Sequence, residues 1–295
     1  MFHNVVVGVD DRPGGRDAIA LAQPLLAEDG VLALAHVHGG DARLATISPE
    51  MADDERTRSR QLLDAVRSAT GVDARLVSTG SWSVGRGLHE LAERRGADLL
   101  VVGSSGASLM GRARLADHTR AALNGAPCAV AVAPAGYADR PVLIREIGVG
   151  YDGSADSERA LEVARGLADD LAAKLSAFQA IALPVHLLRE AGLAEEAIDG
   201  HLASARERIG GLGEVEAHVA YGDASEELAL YGASVDLLII GSRGYGPVGR
   251  LMHGSTSLRL AQTARCPLLV LPRTSRRLQE PDEEELGRDQ MSAPS

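Results

Sequence analysis

The stretch DLLVVGS at residues 98–104 returns as DLLIIGS at residues 236–242. Each copy is a short apolar run between an aspartate and a glycine. Runs of this kind are typical of strands that helices cover on both faces of a parallel sheet. Since the two copies lie about 140 residues apart, the sequence predicts a duplication of one α/β unit.

Two further pairs of segments support the duplication. VVVGVD at 5–10 matches EIGVGYD at 146–152, and APCAVAV at 126–132 matches CPLLVL at 266–271. Between the halves, PAGYADRP at 134–141 has the composition of a linker. We therefore predict one domain at 1–138, a second at 142–273, and a disordered polar tail at 274–295.

Short β-rich runs alternate with longer segments of helical period in each half, a pattern typical of βαβ units. The second half gives strands at 175–181, 214–221, 237–240 and 268–271, and helices through 161–171, 195–209, 225–231 and 257–264. The first half repeats this order, with helices at 53–69 and 82–94 and Trp82 as a helix-packing residue. The predicted fold is α/β, with two repeated doubly wound domains, each a five-stranded parallel sheet with helices on both faces.

Composition excludes several classes of protein. Thirty basic and 41 acidic residues give a net charge of −11, which opposes binding to nucleic acid. No segment approaches 18 consecutive apolar residues and no leader is evident, so we expect a cytoplasmic protein with no membrane partner. Cys128 and Cys266 lack the spacing of a disulfide framework or a zinc site and are predicted to be buried. Arginine usage with a single lysine, Lys174, indicates a GC-rich bacterial genome.

The densest candidate for a ligand site is GSRGYGPVGRLMHGSTS at 241–257. It begins at the carboxyl end of a buried strand, where open α/β sheets bind ligands. Glycines let a loop wrap closely, and GSTS at 254–257 opens a helix whose free N–H groups suit phosphate. The alternative is a glycine-rich turn that Ser255 caps.

Two well-known phosphate loops do not fit. A P-loop needs Gly-Lys followed by Ser or Thr, but Lys174 lies at the start of a predicted strand. Residues 244–249 spell GxGxxG, yet no acidic residue follows at about twenty positions, and the motif follows the fourth strand instead of the first. The sequence therefore disfavours a Rossmann dehydrogenase.

The spacing that does fit is Gly241, two residues, Gly244, nine residues, then Gly254-Ser255. It resembles the nucleotide loop of the ATP-binding universal stress proteins. The GYDGS turn at 150–154 and the closing CPLLV strand at 266–270 add to the likeness. Over nearly its whole length, the chain resembles a tandem pair of universal stress protein domains.

This resemblance implies that the second domain binds ATP, with Mg²⁺ arriving on the nucleotide. Asp152 would lie beside the ribose or phosphates and is the candidate Mg²⁺ ligand, while the backbone at 179–180 would meet adenine. Asp152 could alternatively be only a cap of the following helix. The implied nucleotide-binding residues are Gly150, Tyr151, Asp152, Ala180, Gly241, Arg243, Gly244, Gly254, Ser255, Thr256 and Ser257.

The first half departs from the family's loop. GSSG at 103–106 keeps the opening, but ADHT at 116–119 replaces GSTS. A carboxylate at Asp117 would repel a triphosphate, so we predict a degenerate loop without tight ATP binding. Asp10 and Gly103 would then maintain the turn geometry. Binding of a smaller or uncharged ligand in the first half is left as an alternative.

The resemblance further implies a regulatory or sensor module of the stress response whose partner is an adenine nucleotide. Its domains would pair through their last strands, with 129–133 facing 268–271 as an internal pseudo-dimer; a homodimer is open. One alternative is slow ATP hydrolysis or autophosphorylation at residues 255–257, although no residue is an evident base and we predict no catalytic residue. The other is a nucleotide-independent scaffold with unknown protein partners.

Overall fold

The structure is a computed structural model that describes residues 1–39, 48–104, 117–182, 194–242 and 255–272, with the side chains of 117, 118, 194 and 255 excepted. The strands are β1 (Phe2–Gly8), β2 (Leu26–Gly39), β3 (Arg75–Ser81), β4 (Leu99–Gly103), β5 (Ala129–Ala133), β6 (Glu146–Gly150), β7 (Lys174–Ile181), β8 (Glu216–Tyr221), β9 (Leu237–Gly241) and β10 (Leu268–Leu271). The α-helices are α1 (Pro13–Leu25), α2 (Pro49–Thr70), α3 (Val84–Arg95), α4 (Asp117–Leu123), α5 (Ala155–Leu171), α6 (Ala194–Gly210), α7 (Ala224–Tyr231) and α8 (Ser255–Thr263). Short 3₁₀ turns occur at Tyr137–Asp139 and Gly232–Ser234.

All ten strands belong to one sheet, in the order β3-β2-β1-β4-β5-β10-β9-β6-β7-β8. Within each half the five strands are parallel, which confirms the predicted α/β architecture. At the centre, β5 and β10 pair antiparallel, with Val130 opposite Val270. The halves therefore meet through their last strands, as the family resemblance implied, and each last strand covers the other's edge.

Apolar side chains fill a layer on each face of the sheet. Strand β4 contributes to both layers, because Leu99 and Val101 face one side and Leu100 the other, all fully buried. Residues of α1, α2, α5 and α6 belong to the first layer, and residues of α3, α4, α7 and α8 to the second or its margin. Each layer contains residues of both halves, so the core continues across the junction.

The aspartate of the repeated DLL motif ties strands together. Asp98 accepts hydrogen bonds from two backbone N–H groups near the start of β1, at 2.8 and 3.0 Å. Asp236 accepts two bonds of the same lengths from the backbone at the start of β6. The aspartate thus fixes where the first strand of each half begins.

A buried carboxylate holds the connection between the halves. Asp17 on α1 is 2% exposed and accepts hydrogen bonds from the N–H groups of Gly136 (3.0 Å) and Ala138 (2.8 Å). Arg159 occupies the same fifth position of α5 and donates from Nη2 to the carbonyl of Pro272 at 2.5 Å. A carboxylate therefore binds backbone N–H groups where the chain leaves β5, and a guanidinium binds a backbone carbonyl where it leaves β10.

One sequence prediction in the first half is wrong. Trp82 lies before α3 and its side chain is 67% exposed, so it does not pack from that helix. The helix begins after Ser83, because the Ser83 hydroxyl accepts a hydrogen bond from the N–H of Arg86 at 3.3 Å and caps the first turn. The predicted tail at 274–295 lies outside the described residues.

Candidate functional site

A pocket of about 310 Å³ opens at the carboxyl ends of β6, β7 and β9. Its volume lies near the lower end of the roughly 300–1,000 Å³ that is typical of small-molecule sites. Most of its lining comes from the β6–α5 turn, from β7, and from the first turns of α7 and α8. The described lining residues are Gly150, Tyr151, Asp152, Ser154, Asp156, Ser157, Phe178, Ala180, Ala224, Leu228, Ile240, Gly241, Thr256 and Ser257.

The structure brings together most of the residues that the sequence singled out. Those that line the pocket are Gly150, Tyr151, Asp152, Ala180, Gly241, Thr256 and Ser257. Ser255 is the first residue of α8, and nothing is described of its side chain. The remaining three, Arg243, Gly244 and Gly254, lie outside the described residues.

Hydrogen bonds fix the turn between β6 and α5. Asp152 Oδ1 accepts from the N–H of Ser154 (3.0 Å) and from its hydroxyl (2.6 Å). Ser154 is the N-cap of α5, since its Oγ accepts from the N–H of Ser157 at 3.3 Å. The alternative that Asp152 caps this helix is therefore wrong, because the cap is Ser154; the Asp152 carboxylate braces the turn, and the residue lines the pocket.

Gly241 is required by packing, whatever the pocket binds. A Cβ at this position would lie 2.5 Å from the carbonyl oxygen of Asp156, because β9 passes directly against the first turn of α5. Gly103 occupies the same position in the first half, where a Cβ would lie 2.3 Å from the carbonyl oxygen of Gly14. The first glycine of the loop motif is thus a structural requirement of both halves.

The apolar part of the pocket contains a residue that sequence reasoning missed. Phe178 lies with Leu228 and Ile240 in the apolar layer beneath α7 and α8. The signal was available, because alternation along β7 places Phe178 on the same face as Ala180. Gln179 points to the other face, where its Oε1 accepts from Arg208 Nη1 at 3.0 Å.

Two carboxylates give the described lining a negative charge. Asp156 pairs with Arg159 at 3.2 Å, which balances its charge in part. No lysine, arginine or histidine is among the described lining residues. The N-terminus of α8, which carries Thr256 and Ser257, also lies in the lining and is the positive end of the helix dipole.

A smaller pocket of about 190 Å³ occupies the equivalent place in the first half, at the ends of β1, β2 and β4. Ala35 and Val37 line it where Phe178 and Ala180 line the second pocket, by the register of β2 on β1 and of β7 on β6. The hydroxyl of Thr119 donates to the carbonyl of Gly103 at 2.6 Å. Asp117 is the first residue of α4, and its side chain is not described.

Comparison with known proteins agrees with this duplicated architecture. The model of the universal stress protein family matches residues 1–134 and again residues 144–272. The chain belongs to the universal stress protein family. Because the family model matches each half separately, the chain is a tandem of two universal stress protein domains, as the repeated motifs predicted.

Relatives of similar length occur in mycobacteria. A universal stress protein of Mycobacterium tuberculosis (strain H37Rv) is 28% identical over 291 residues, which cover 91% of this chain and 96% of the relative. A universal stress protein of Thermus aquaticus is 31% identical over 137 residues, 44% of this chain and 99% of the relative. The first therefore resembles the tandem, and the second a single half.

Solved structures share the fold over the same extent. A universal stress protein from Archaeoglobus fulgidus covers 92% of this chain and 98% of its own, with a TM-score of 0.65 and 19% identity. One described as a universal stress protein from Pseudomonas aeruginosa covers 92% and 93%, with a TM-score of 0.60 and 18% identity. In the described part of this chain, no helix has the length and apolar character needed to cross a membrane.

Proposed function

We propose that the second half of this universal stress protein binds ATP with Mg²⁺ and that the protein acts as a regulatory module of the stress response. One observation carries the proposal: residues chosen from the sequence for a nucleotide site converge on one pocket, at the edge where α/β sheets bind ligands. The first half serves as the packing partner of the second.

The polar part of the pocket suits phosphate groups. Helix α8 presents backbone N–H groups and a positive dipole end at residues 255–257. Thr256 is partly exposed there and supplies a hydroxyl donor, and the buried Ser257 also lines the pocket. Arg243, Gly244 and Gly254 complete the phosphate site in this proposal.

The donors in the pocket fit a magnesium ion that arrives with the nucleotide. Mg²⁺ is commonly held by one or two carboxylates together with substrate phosphates and water. Asp152 offers one carboxylate, and the described residues contain no group of three His, Cys, Asp or Glu that could hold a metal without a ligand. Asp152 would hold the ion, whose charge would offset the repulsion between the phosphates and the two carboxylates of the lining.

The apolar part of the pocket suits a base. Phe178, Leu228 and Ile240 offer buried apolar surface, which favours a ligand with a hydrophobic ring. Ala180 leaves the backbone of β7 accessible beside them, where main-chain groups can bind the edge of adenine. One ligand with a base at one end and phosphates at the other satisfies both parts.

We further propose that the first half does not bind ATP tightly. Its pocket is smaller, and the sequence places Asp117 where the second half has Ser255. Helix α4 has seven residues and starts with this aspartate, so it offers less to a triphosphate than α8 does. Asp10 and Gly103 maintain the turn there.

The test is calorimetric titration of Mg-ATP into nucleotide-free wild type, Gly254→Asp and Asp117→Ser proteins. We expect one site per chain in the wild type, no binding in Gly254→Asp, and one site in Asp117→Ser. Absence of heat and of a thermal shift in the wild type would favour the scaffold. Steady release of phosphate above about one turnover per second would instead make the protein an enzyme.

A further inference from the structure

The second pocket has an aromatic wall. Phe178 lines the pocket and is 6% exposed, and its ring stacks on that of Tyr231 with centroids 4.7 Å apart and planes 20° apart. Tyr231 is 8% exposed and does not line the pocket, so it supports Phe178 from behind. The only other aromatic residue of the described lining, Tyr151, belongs to the opposite apolar layer.

Neighbouring groups hold this pair in place. The Tyr231 hydroxyl and Ser176 Oγ are 2.5 Å apart and share a hydrogen bond. Gly148 leaves room for the ring, because a Cβ there would lie 2.7 Å from Tyr231 Cε1. Burial raises the pKa of Tyr231 to about 12, which keeps the hydroxyl protonated across the physiological range. The Phe178 ring is therefore pre-organised before any ligand arrives.

The first half does without the pair. Strand register places Val6 where the second half has Gly148, Ala33 in place of Ser176, and Ala35 in place of Phe178. Leu91 follows Leu88 by three residues, as Tyr231 follows Leu228. Since the same fold forms with these aliphatic residues, the aromatic pair is not a requirement of the architecture.

We propose that Phe178, supported by Tyr231, is the residue that makes the second pocket select ligands with a planar aromatic base. This inference rests on the proposed function and assigns its base specificity to this residue. Aromatic rings attract a base through dispersion and through their quadrupole, in stacked or edge-to-face geometry. The contact adds affinity for the base and none for the phosphates, so it separates nucleotides from inorganic polyphosphate.

The chain contains only two phenylalanines, which permits a direct test without mutation. In protein labelled at phenylalanine rings, Mg-ATP should shift the Phe178 ring signals by the ring current of the base. Phe2, at the amino end of β1 in the first half, is the internal control and should not move. Tripolyphosphate with Mg²⁺ should leave both sets of signals in place.

The matching affinity test uses Phe178→Leu, with Phe2→Leu as the control and Phe178→Tyr as the variant that restores a ring. Phe178→Leu should weaken ATP roughly tenfold, the scale of one base–aromatic stack, and leave tripolyphosphate binding unchanged. Phe178→Tyr should bind ATP nearly as the wild type does.

The outcomes separate the two proposals. If wild-type protein gives no heat with Mg-ATP, the proposed nucleotide function fails, and this inference with it. If ATP binds but the Phe178 signals do not move, or if Phe178→Leu weakens ATP and tripolyphosphate equally, only the role of Phe178 is overturned. Should Phe178→Leu fail to fold, the wild-type spectra still decide.

Discussion

Among single residues, Asp152 most needs an explanation, because a carboxylate in a nucleotide site repels the phosphate groups. Its Oδ1 is engaged by two groups of Ser154, and Asp156 lies in the same lining. The two carboxylates would repel a bare triphosphate, whereas a magnesium ion held by Asp152 would offset that repulsion. The effect of Asp152 should therefore change sign with the metal.

We predict that Asp152→Asn weakens ATP about tenfold when Mg²⁺ is present, as expected for loss of one charge-assisted contact. With the metal removed by EDTA, the same variant should bind ATP more tightly than the wild type, because one repulsive charge is gone. Titration calorimetry under both conditions measures this, with Asp10→Asn as the control in the first half. Weakening in both conditions would mean that Asp152 acts only by bracing the turn.

The two cysteines give a prediction that depends on pH. Burial raises the pKa of Cys128 and of Cys266 to about 12 each. Because the folded state holds these protons more tightly than the unfolded chain, whose cysteines titrate near 8.5, their contribution to stability is complete below about pH 8.5 and is lost as the pH rises towards 12. At pH 8, Ellman's reagent should label neither thiol in native protein and both in urea. Rapid labelling of native protein would contradict the predicted burial.

At the scale of elements, the close approach of strand and helix recurs in both halves. β9 runs against the first turn of α5, and β4 runs against the first turn of α1, each with a glycine at the contact. This repeated contact positions the helix N-terminus beside the pocket. The presence of glycine at position 241 or 103 is therefore explained by packing and is not by itself evidence of ligand binding.

We predict that Gly241→Ala and Gly103→Ala both lower the free energy of unfolding, by about 1–3 kcal/mol, as overpacking usually does. Gly166→Ala is the matched control, since it lies within α5 and its Cβ would meet no atom within 4 Å. That variant should raise the free energy by about 0.5–1 kcal/mol through helix propensity. Urea unfolding measures all three. A neutral Gly103→Ala would refute the shared packing requirement.

Sequence patterns predicted the elements well where the signal was local. Strand β10 and helix α7 lie within a residue or two of their predicted positions, because apolar period and hydroxyl or acidic caps are both local features. The helical period of the apolar residues after Trp82 predicts that this residue lies in a helix. The helix α3 starts later, because the Ser83 hydroxyl caps its first turn. In the same way, the sequence left open whether Asp152 or Ser154 caps α5, and the cap is Ser154.

The candidate site was predictable only in part. The family resemblance implied Gly150 and Asp152, and the helix start at 254–257 indicated Thr256. The alternation along β7 places Phe178 on the same face as Ala180, but its stacking on Tyr231 could not be predicted, since the two rings are remote in sequence. The roles of Arg243, Gly244 and Gly254 stay predictions from the loop spacing.

At the scale of the whole molecule, the two halves form one body of structure. The sheet runs through the β5–β10 junction, both apolar layers cross it, and Asp17 holds the linker against α1. Buried apolar contact across a junction couples the stability of what lies on either side.

Accordingly, differential scanning calorimetry should give a single unfolding transition for both halves. Gly241→Ala, although confined to the second half, should move that transition to lower temperature without splitting it. Two separate transitions, of which the variant moves only one, would show that the halves unfold independently.

The duplication also supplies the sharpest test of where the nucleotide binds. Ala180 and Val37 occupy equivalent positions in the two pockets, so a bulky side chain at either fills one pocket and leaves the other intact. We would titrate Mg-ATP into wild type, Ala180→Phe and Val37→Phe and measure stoichiometry. One site per chain, lost in Ala180→Phe and kept in Val37→Phe, is the predicted result. Two sites in the wild type, or loss of binding in Val37→Phe alone, would contradict the assignment of ATP to the second half.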